Sequence, residues 1–288
     1  MRAPGRKLIV NADDLGLHPD IDRGIERAHR EGIVTSASLA AVGASFEHAA
    51  EMCRRCPDLD VGVHLTLVGE QPLSDPSSLG DLVTSRGRFV DAHPALVARA
   101  LTGRLDRGAV LRELDAQIEK VERAGFRPSH LDGHQHVHLL PGVWPVVVEL
   151  ARRHRIGWVR VPAFRPLFRH SGANGSGIAR TGLRFGLNVL QWGRRTSLDG
   201  LRSADVTPAL AESGHLTAQC IRRALGTVPA GAVAELVAHP GVTTPALEAR
   251  YDWGYDWSGE TEALTDPDLR AAVVDAGFQL YRFSDLAA

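Results

Sequence analysis

The stretch KLIVNADD, residues 7–14, begins a pattern that the rest of the chain repeats. Its apolar run predicts a buried strand, and the amphipathic segment DIDRGIERAHREG (20–32) predicts a helix that ends at the glycine. The same succession predicts further strands at 35–42, 59–67, 157–162, 232–241 and 278–283, and further helices at 45–56, 108–125, 142–154 and 267–276.

This alternation of strands and helices predicts βαβ units and a parallel sheet. With roughly seven such units, a TIM-like (β/α) barrel is favoured, and a doubly wound open sheet is the alternative. We expect one α/β domain over residues 1–288, with long loop insertions at about 69–107 and 163–214 that form lids or binding walls. Within the second insertion, RHSGANGSG (169–177) predicts a mobile loop.

The composition is that of a soluble globular protein, with 44% hydrophobic and 23% charged residues. A formal net charge of −1 argues against nucleic acid as a partner. No apolar run reaches the roughly 18 residues of a membrane span, and no signal peptide is evident, so a cytoplasmic location is expected. Three cysteines do not suggest a disulfide framework, and Cys53 and Cys56 are interpreted as one end of a helix.

The segment HLDGHQHVH (130–138) places all its acidic and imidazole side chains at alternate positions. In an extended strand these five residues would share one face: His130, Asp132, His134, His136 and His138. Each unpaired buried polar group would cost about 1–3 kcal/mol. The face is therefore either wet surface or a site whose groups share charge.

Other polar residues stand at the ends of predicted strands that are far apart in sequence. Asp13 and Asp14 end the first strand, His64 lies near the end of strand 59–67, and His239 ends a later one. Taken singly, the aspartates could cap a helix and either histidine could be a core residue. Because the carboxyl ends of parallel strands meet at one edge, where sites are built, their convergence favours a functional site.

The residue types at this edge indicate metal chemistry. Imidazole nitrogens and carboxylate oxygens are ligands of divalent metals. One of two adjacent aspartates can bind the metal while the other takes a proton from metal-bound water, and a histidine across the site can protonate a leaving group. This is the set of groups that metal-dependent hydrolysis requires. The sequence contains neither a G-x-S-x-G nor a G-x-x-x-x-G-K-[ST] motif, which argues against those serine hydrolases and nucleotide-binding proteins.

Four stretches resemble the YdjC-like carbohydrate deacetylases, a family that includes chitooligosaccharide deacetylases and hopanoid-biosynthesis-associated deacetylases. They are LIVNADDLGLHPDIDRGIERAHREGIVTSASL (8–39), VGVHLTL (61–67), HLDGHQHVHLLP (130–141) and AELVAHPG (234–241). The resemblance implies a distorted (β/α) barrel and an enzyme that hydrolyses the N-acetyl group of an amino sugar, a chitooligosaccharide or a glycolipid. It also implies one divalent metal ion and suggests a homodimer. The residue types leave the metal open: one carboxylate and two imidazoles suit zinc, cobalt, manganese or iron, and magnesium if waters complete its coordination.

The resemblance carries over residue by residue. It assigns metal binding to Asp14, His64 and His134, the role of catalytic base to Asp13 and that of acid to His239. His130 and Asp132 would orient the ligands, and His136 and His138 would lie near the substrate. The family often has D-S-H-H-H where this chain has Asp132-Gly133-His134-Gln135-His136, which leaves the proposed ligand in place but alters its neighbours.

Two other functions fit the same residues. One is a barrel metallohydrolase of the amidohydrolase type that uses His136 and His138 as an H-x-H ligand pair. The other is a catalytically inactive sugar-binding protein, against which the complete set of site residues argues. Four aromatic residues could stack on sugar rings, although YDWGYDWSG (251–259) is also typical of a packed loop: Trp192, Trp253, Tyr255 and Trp257.

Overall fold

A computed structural model describes residues 5–91, 93–163, 193–195 and 197–286. The predicted loop 169–177 and Trp192 lie outside these residues. The strands are β1 (Arg6–Leu15), β2 (Ser36–Leu39), β3 (Asp60–Leu65), β4 (His130–Gly133), β5 (Trp158–Val159), β6 (Val233–Ala238) and β7 (Phe278–Leu280). The helices are α1 (Pro19–Arg30), α2 (Phe46–Arg55), α3 (His93–Leu101), α4 (Arg107–Arg123), α5 (Trp144–Arg153), α6 (Ala218–Leu225), α7 (Pro245–Arg250), α8 (Trp257–Thr265) and α9 (Pro267–Asp275).

The described strands form one parallel sheet that curves into a distorted barrel. Their order is β5-β4-β3-β2-β1-β6, and β7 pairs with the beginning of β1. The segment 202–206 bridges the two edges, because the amide of Val159 donates to Arg202 O at 2.9 Å and that of Glu235 donates to Val206 O at 3.0 Å. The predicted barrel is thus confirmed, in preference to the doubly wound open sheet.

The outer face of the barrel packs on the helices through apolar side chains. Leu8, Val10 and Ala12 of β1 are fully buried there, and α4 covers the sheet with Leu114, Ile118 and Val121, as its helical spacing predicts. In the described part of the chain, no helix has the length and apolar composition that crossing a bilayer requires.

The inner face of the barrel changes from apolar to polar along its axis. Ile9, Trp158 and Phe283 belong to a small apolar cluster, and His130 stacks on Phe283 at a ring distance of 4.0 Å. The His130 ring also lies so close to the backbone of Gly62 that a Cβ there would come within 2.3 Å of His130 Cε1. Beyond this level the interior is polar, so the fold provides a buried polar layer directly beneath the carboxyl ends of the strands.

The structure adds elements that the sequence analysis did not predict. Helices α3, α6, α7 and α8 are new, and α3 lies in the insertion at 69–107 together with two short 3₁₀ turns. The predicted strand 157–162 is shorter than expected, since only Trp158 and Val159 pair regularly with β4.

Candidate active site

The backbone of β1 separates the two adjacent aspartates, to which the resemblance assigns different roles. Asp14 has a positive φ of 68°, and the pairing of β1 with β2 slips between Ala12 and Leu15. The chain therefore turns at Asp14 itself, inside the strand. Both side chains are almost fully buried, Asp13 at 3% and Asp14 at 1% exposure, yet they face different partners.

Asp14 faces two histidines. His134 Nδ1 lies 2.8 Å and His64 Nε2 3.2 Å from Asp14 Oδ1, and one ligand atom of each of the three residues lies within 4.8 Å of the other two. Burial raises the pKa of the Asp14 carboxyl, but the neighbouring His134 and His64 outweigh it and hold the pKa well below its usual value.

The donor set of Asp14, His64 and His134 fits a divalent metal. One carboxylate oxygen and two imidazole nitrogens are common ligands of zinc, and magnesium or manganese can complete its coordination with water. The far nitrogen of His64, Nδ1, lies 2.8 Å from Asp132 Oδ1, which orients the ring with Nε2 towards Asp14. Burial alone would lower the pKa of His64, but the carboxylate of Asp132 raises it to about 10.

In the described part of the chain, a second set of three residues has ligand atoms within 4.8 Å of one another: Asp13, His64 and Asp132. It does not fit a cation, because the guanidinium of Arg160 already lies between its two carboxylates. Arg160 forms two hydrogen bonds to Asp13, at 2.6 and 2.8 Å, and its Nη2 is 2.7 Å from Asp132 Oδ2. The positive charge of this arginine excludes a metal there, because its nitrogens already occupy the carboxylate oxygens of Asp13 and Asp132.

Arg160 joins a third carboxylate to this group. Its Nε donates to Glu235 Oε1 at 2.6 Å, and the arginine side chain is completely buried. Burial raises the pKa of Glu235 to about 7 despite this ion pair, while the surrounding carboxylates hold the pKa of Arg160 well above its usual value. Asp13 also accepts a hydrogen bond from Asn11 Nδ2 at 2.8 Å, so its carboxylate is held on two sides.

His239 stands on the opposite side of Asp14. Its Nε2 is 3.9 Å from Asp14 Oδ2, whereas the other two histidines contact Oδ1. The His239 Nδ1 lies 3.0 Å from Ser213 Oγ, and that hydroxyl donates to Val237 O, so Nδ1–H is the donor to the serine. The nitrogen that faces Asp14 is consequently the one available for proton transfer.

His130 and Asp132 lie below the site. The Ser38 hydroxyl donates to Asp132 Oδ2 at 2.6 Å, accepts from Asn11 at 2.8 Å and lies 3.0 Å from His130 Nε2. Burial lowers the pKa of His130 to about 4, although Asp132 opposes this shift. Ser38 thus links the residues beneath the two aspartates.

The segment 130–138 is extended only as far as the end of β4, so its alternate side chains share one face only up to that point. A 3₁₀ segment, His134–Leu139, follows, and Gln135 and His136 adopt positive φ values of 51° and 56°. His138 is fully buried, and its Nε2 donates to Arg160 O at 2.8 Å. His138 therefore supports the backbone at Arg160, just beyond β5, and has no exposed surface to offer a substrate, whereas His136 is partly exposed.

Sequence analysis missed Arg160 and Glu235 as site residues. Each interrupts an apolar strand segment, GWVRVP and AVAELVA, and a charged side chain in such a strand was the available signal. It also left open the role of two aromatic residues. The ring of Trp253 lies 4.9 Å from that of His134, and Tyr255 lies 4.8 Å from His239.

The chain is similar to known proteins over nearly its whole length. The chain is 31% identical to a carbohydrate deacetylase of Geobacillus stearothermophilus, covering 97% of this chain and 98% of that protein. It is 32% identical to a chitooligosaccharide deacetylase of Klebsiella pneumoniae, covering 98% of this chain and 99% of that protein. A crystal structure of a proposed cellobiose-phosphate cleavage protein from Enterococcus faecalis superposes with a TM-score of 0.76 at 26% identity, over 99% of this chain and 100% of the other.

A family model described as YdjC-like protein matches residues 7–275. This range includes every site residue described above. The chain therefore belongs to the YdjC-like family, whose members among its relatives are carbohydrate deacetylases.

Proposed function

We propose that this protein is a metal-dependent N-deacetylase of an acetylated amino sugar, a chitooligosaccharide or a related glycoconjugate. The arrangement around Asp14 carries the proposal: its Oδ1 lies between His64 and His134, and its Oδ2 faces His239. One carboxylate thus lies between a group suited to bind a cation and a group suited to transfer a proton. The relatives named as carbohydrate and chitooligosaccharide deacetylases support the substrate class.

Asp14, His64 and His134 would hold the metal ion. A divalent cation at this position would polarise the acetyl carbonyl and favour deprotonation of the attacking water. Asp132 and Ser38 keep the His64 ring in the orientation that this role requires.

Asp13 is the proposed base. Its Oδ1 accepts from both Asn11 and Arg160, whereas its Oδ2 accepts only from Arg160 among the described residues, so Oδ2 retains a lone pair. Arg160 orients the carboxylate through two hydrogen bonds. Asp13 takes one proton from water as the water oxygen bonds to the acetyl carbon.

His239 is the proposed acid. When its Nε2 is protonated, it gives that proton to the sugar nitrogen as the C–N bond breaks, and the products are acetate and the free amine. Ser213 fixes the opposite ring nitrogen, so the ring is oriented before substrate binds.

Acetate release tests this proposal. The protein, stripped with a chelator and then supplied separately with magnesium, zinc, cobalt, manganese or iron, is assayed on N-acetylglucosamine, chitooligosaccharides and N-acetylated glycolipids. We expect chelation to abolish acetate release and one or more metals to restore it. Failure to release acetate from any of these substrates with any of these metals would refute the proposal.

The amidohydrolase alternative receives less support. His138 Nε2 already donates to Arg160 O. Among the described residues, neither set that could hold a metal includes His136 or His138. A catalytically inactive sugar-binding protein would bind sugar without releasing acetate, which the same assay detects.

The metal identity, the cytoplasmic location, the single domain and the homodimer stay predictions. Metal analysis of the purified protein, cell fractionation, limited proteolysis and light scattering check them in turn.

A further inference from the structure

The segment Tyr251–Trp257 lies over the candidate active site as an aromatic strip. Its four aromatic residues occupy alternate positions, and the residues between them, Asp252, Gly254 and Asp256, are exposed. All four rings therefore point towards the protein. Neighbouring rings are in contact, with centroids 4.5 Å apart for Tyr251 and Trp253, and 5.1 Å apart for Tyr255 and Trp257.

The two ends of the strip are fixed. Tyr251 is 5% and Trp257 1% exposed. The Tyr251 hydroxyl donates to Glu70 Oε1 at 2.8 Å, and Arg250 donates to both oxygens of Glu70 at 2.8 and 2.7 Å. Glu70 belongs to the insertion at 69–107, so one function of that insertion is to anchor the strip.

The two central rings remain partly exposed and border the functional residues. Trp253 lies against His134, with centroids 4.9 Å apart, and Tyr255 lies against His239, with centroids 4.8 Å apart. The Tyr255 ring packs so closely on Gly214 that a Cβ there would come within 2.6 Å of Tyr255 Cδ1. The position of both rings is thus set before any substrate arrives.

We infer that Trp253 and Tyr255 form the wall on which the pyranose ring of the substrate stacks. This inference rests on the proposed deacetylase function. A pyranose has an apolar face of C–H groups, and rigid aromatic rings next to a few polar groups are typical of small-molecule sites. Trp253 borders the candidate metal ligand, so it would support the acetylated sugar unit, while Tyr255 borders the proposed acid.

Binding measured without turnover tests the inference. Trp253→Ala and Trp253→Phe are made in the Asp13→Asn background, and calorimetry measures the Kd for diacetylchitobiose and, in parallel, for the metal alone. Tyr281→Ala is the control, because Tyr281 is a partly exposed aromatic residue beside β7, away from the site.

We expect Trp253→Ala to weaken disaccharide binding about tenfold, equivalent to about 1.4 kcal/mol, with metal affinity unchanged. Trp253→Phe should restore part of the loss, and Tyr281→Ala should have no effect. An unchanged disaccharide Kd in Trp253→Ala would overturn the inference. So would a parallel loss of metal affinity, since Trp253 would then only support His134.

Acetate release by the wild-type chain separates this inference from the proposed function. If the wild type binds the disaccharide but releases no acetate from any of the substrates and metals named above, the proposed function fails, and the Kd values still test the stacking wall. If the wild type does not bind the disaccharide, the wall is refuted, whatever acetate is released from other acetamides.

Discussion

The surroundings of Asp13 and Asp14 contrast sharply although the residues are adjacent and chemically identical. Asp13 is paired with a permanently charged guanidinium, Arg160, in a buried network that satisfies most of its acceptor sites. Among the described residues, the ion pairs of the Asp14 carboxylate are all with imidazole groups, which can lose their protons to make room for a metal. The contrast teaches that whether a buried carboxylate suits the proposed role of base or that of metal ligand depends on the groups it faces.

The largest expected effect follows from removing any one of the three proposed metal ligands. Asp14→Ala, His64→Ala and His134→Ala should each remove the metal at low micromolar concentration and abolish turnover, because each deletes one of three ligands. Metal content by mass spectrometry and acetate release check this. Normal metal content in all three variants would disprove the ligand assignment.

Asp13→Asn and Asp14→Asn should differ in their effects on kcat and on metal binding. In Asp13→Asn, the amide retains the shape of the side chain but cannot act as a base at neutral pH, so we expect kcat to fall roughly 10²–10⁴-fold while metal is retained. Asp14→Asn should instead lose metal affinity first and recover some activity at high metal concentration. Single-turnover deacetylation and metal content are measured for both. If Asp13→Asn loses metal and Asp14→Asn keeps both metal and rate, the two roles are reversed.

Arg160→Met should lower the free energy of unfolding, because it removes the partner of Asp13. It leaves three buried carboxylates without their shared cation, and breaking a buried pair in this way typically costs about 3–5 kcal/mol. Arg160→Lys is the matched variant, since it keeps the charge but loses the two-pronged contact with Asp13. Urea unfolding measures both. If Arg160→Met lowers the free energy of unfolding by less than about 1 kcal/mol, the buried carboxylates do not depend on Arg160 as their counter-charge.

The smallest expected effect is a pH dependence that originates at Glu235. Because burial raises its folded-state pKa from 4.5 to about 7, the folded protein holds one proton more than the unfolded chain between these pH values. Its contribution to stability therefore falls as the pH rises from 4.5 to 7, with a slope of at most about 1.4 kcal/mol per pH unit.

Glu235→Gln removes this titration. Relative to wild type, the variant should gain stability as the pH rises through the same window, which urea unfolding at several pH values measures. His130 and His138, whose pKa values burial lowers to about 4, act in the opposite direction but are common to both proteins. A stability difference between variant and wild type that does not change with pH would contradict the raised pKa of Glu235.

The sequence was sufficient to predict the architecture because apolar strands and amphipathic helices alternate so regularly. It also brought together Asp13, Asp14, His64, His134 and His239, since each stands at or just beyond the carboxyl end of a parallel strand and such ends must meet. It was less informative about the insertions. Neither α3 nor the anchoring of the aromatic strip by Glu70 follows from a local pattern.

What the sequence by itself determined was which residues gather at one edge of the barrel. Only the tertiary structure decided which partners each of them contacts. The positive φ of Asp14 sends two neighbouring carboxylates to different partners, and the arginine that fixes Asp13 comes from 147 residues away. Spacing along one strand predicts which face a side chain occupies, but a buried charge acquires its role from partners that other strands supply, and those partners are set only when the barrel closes.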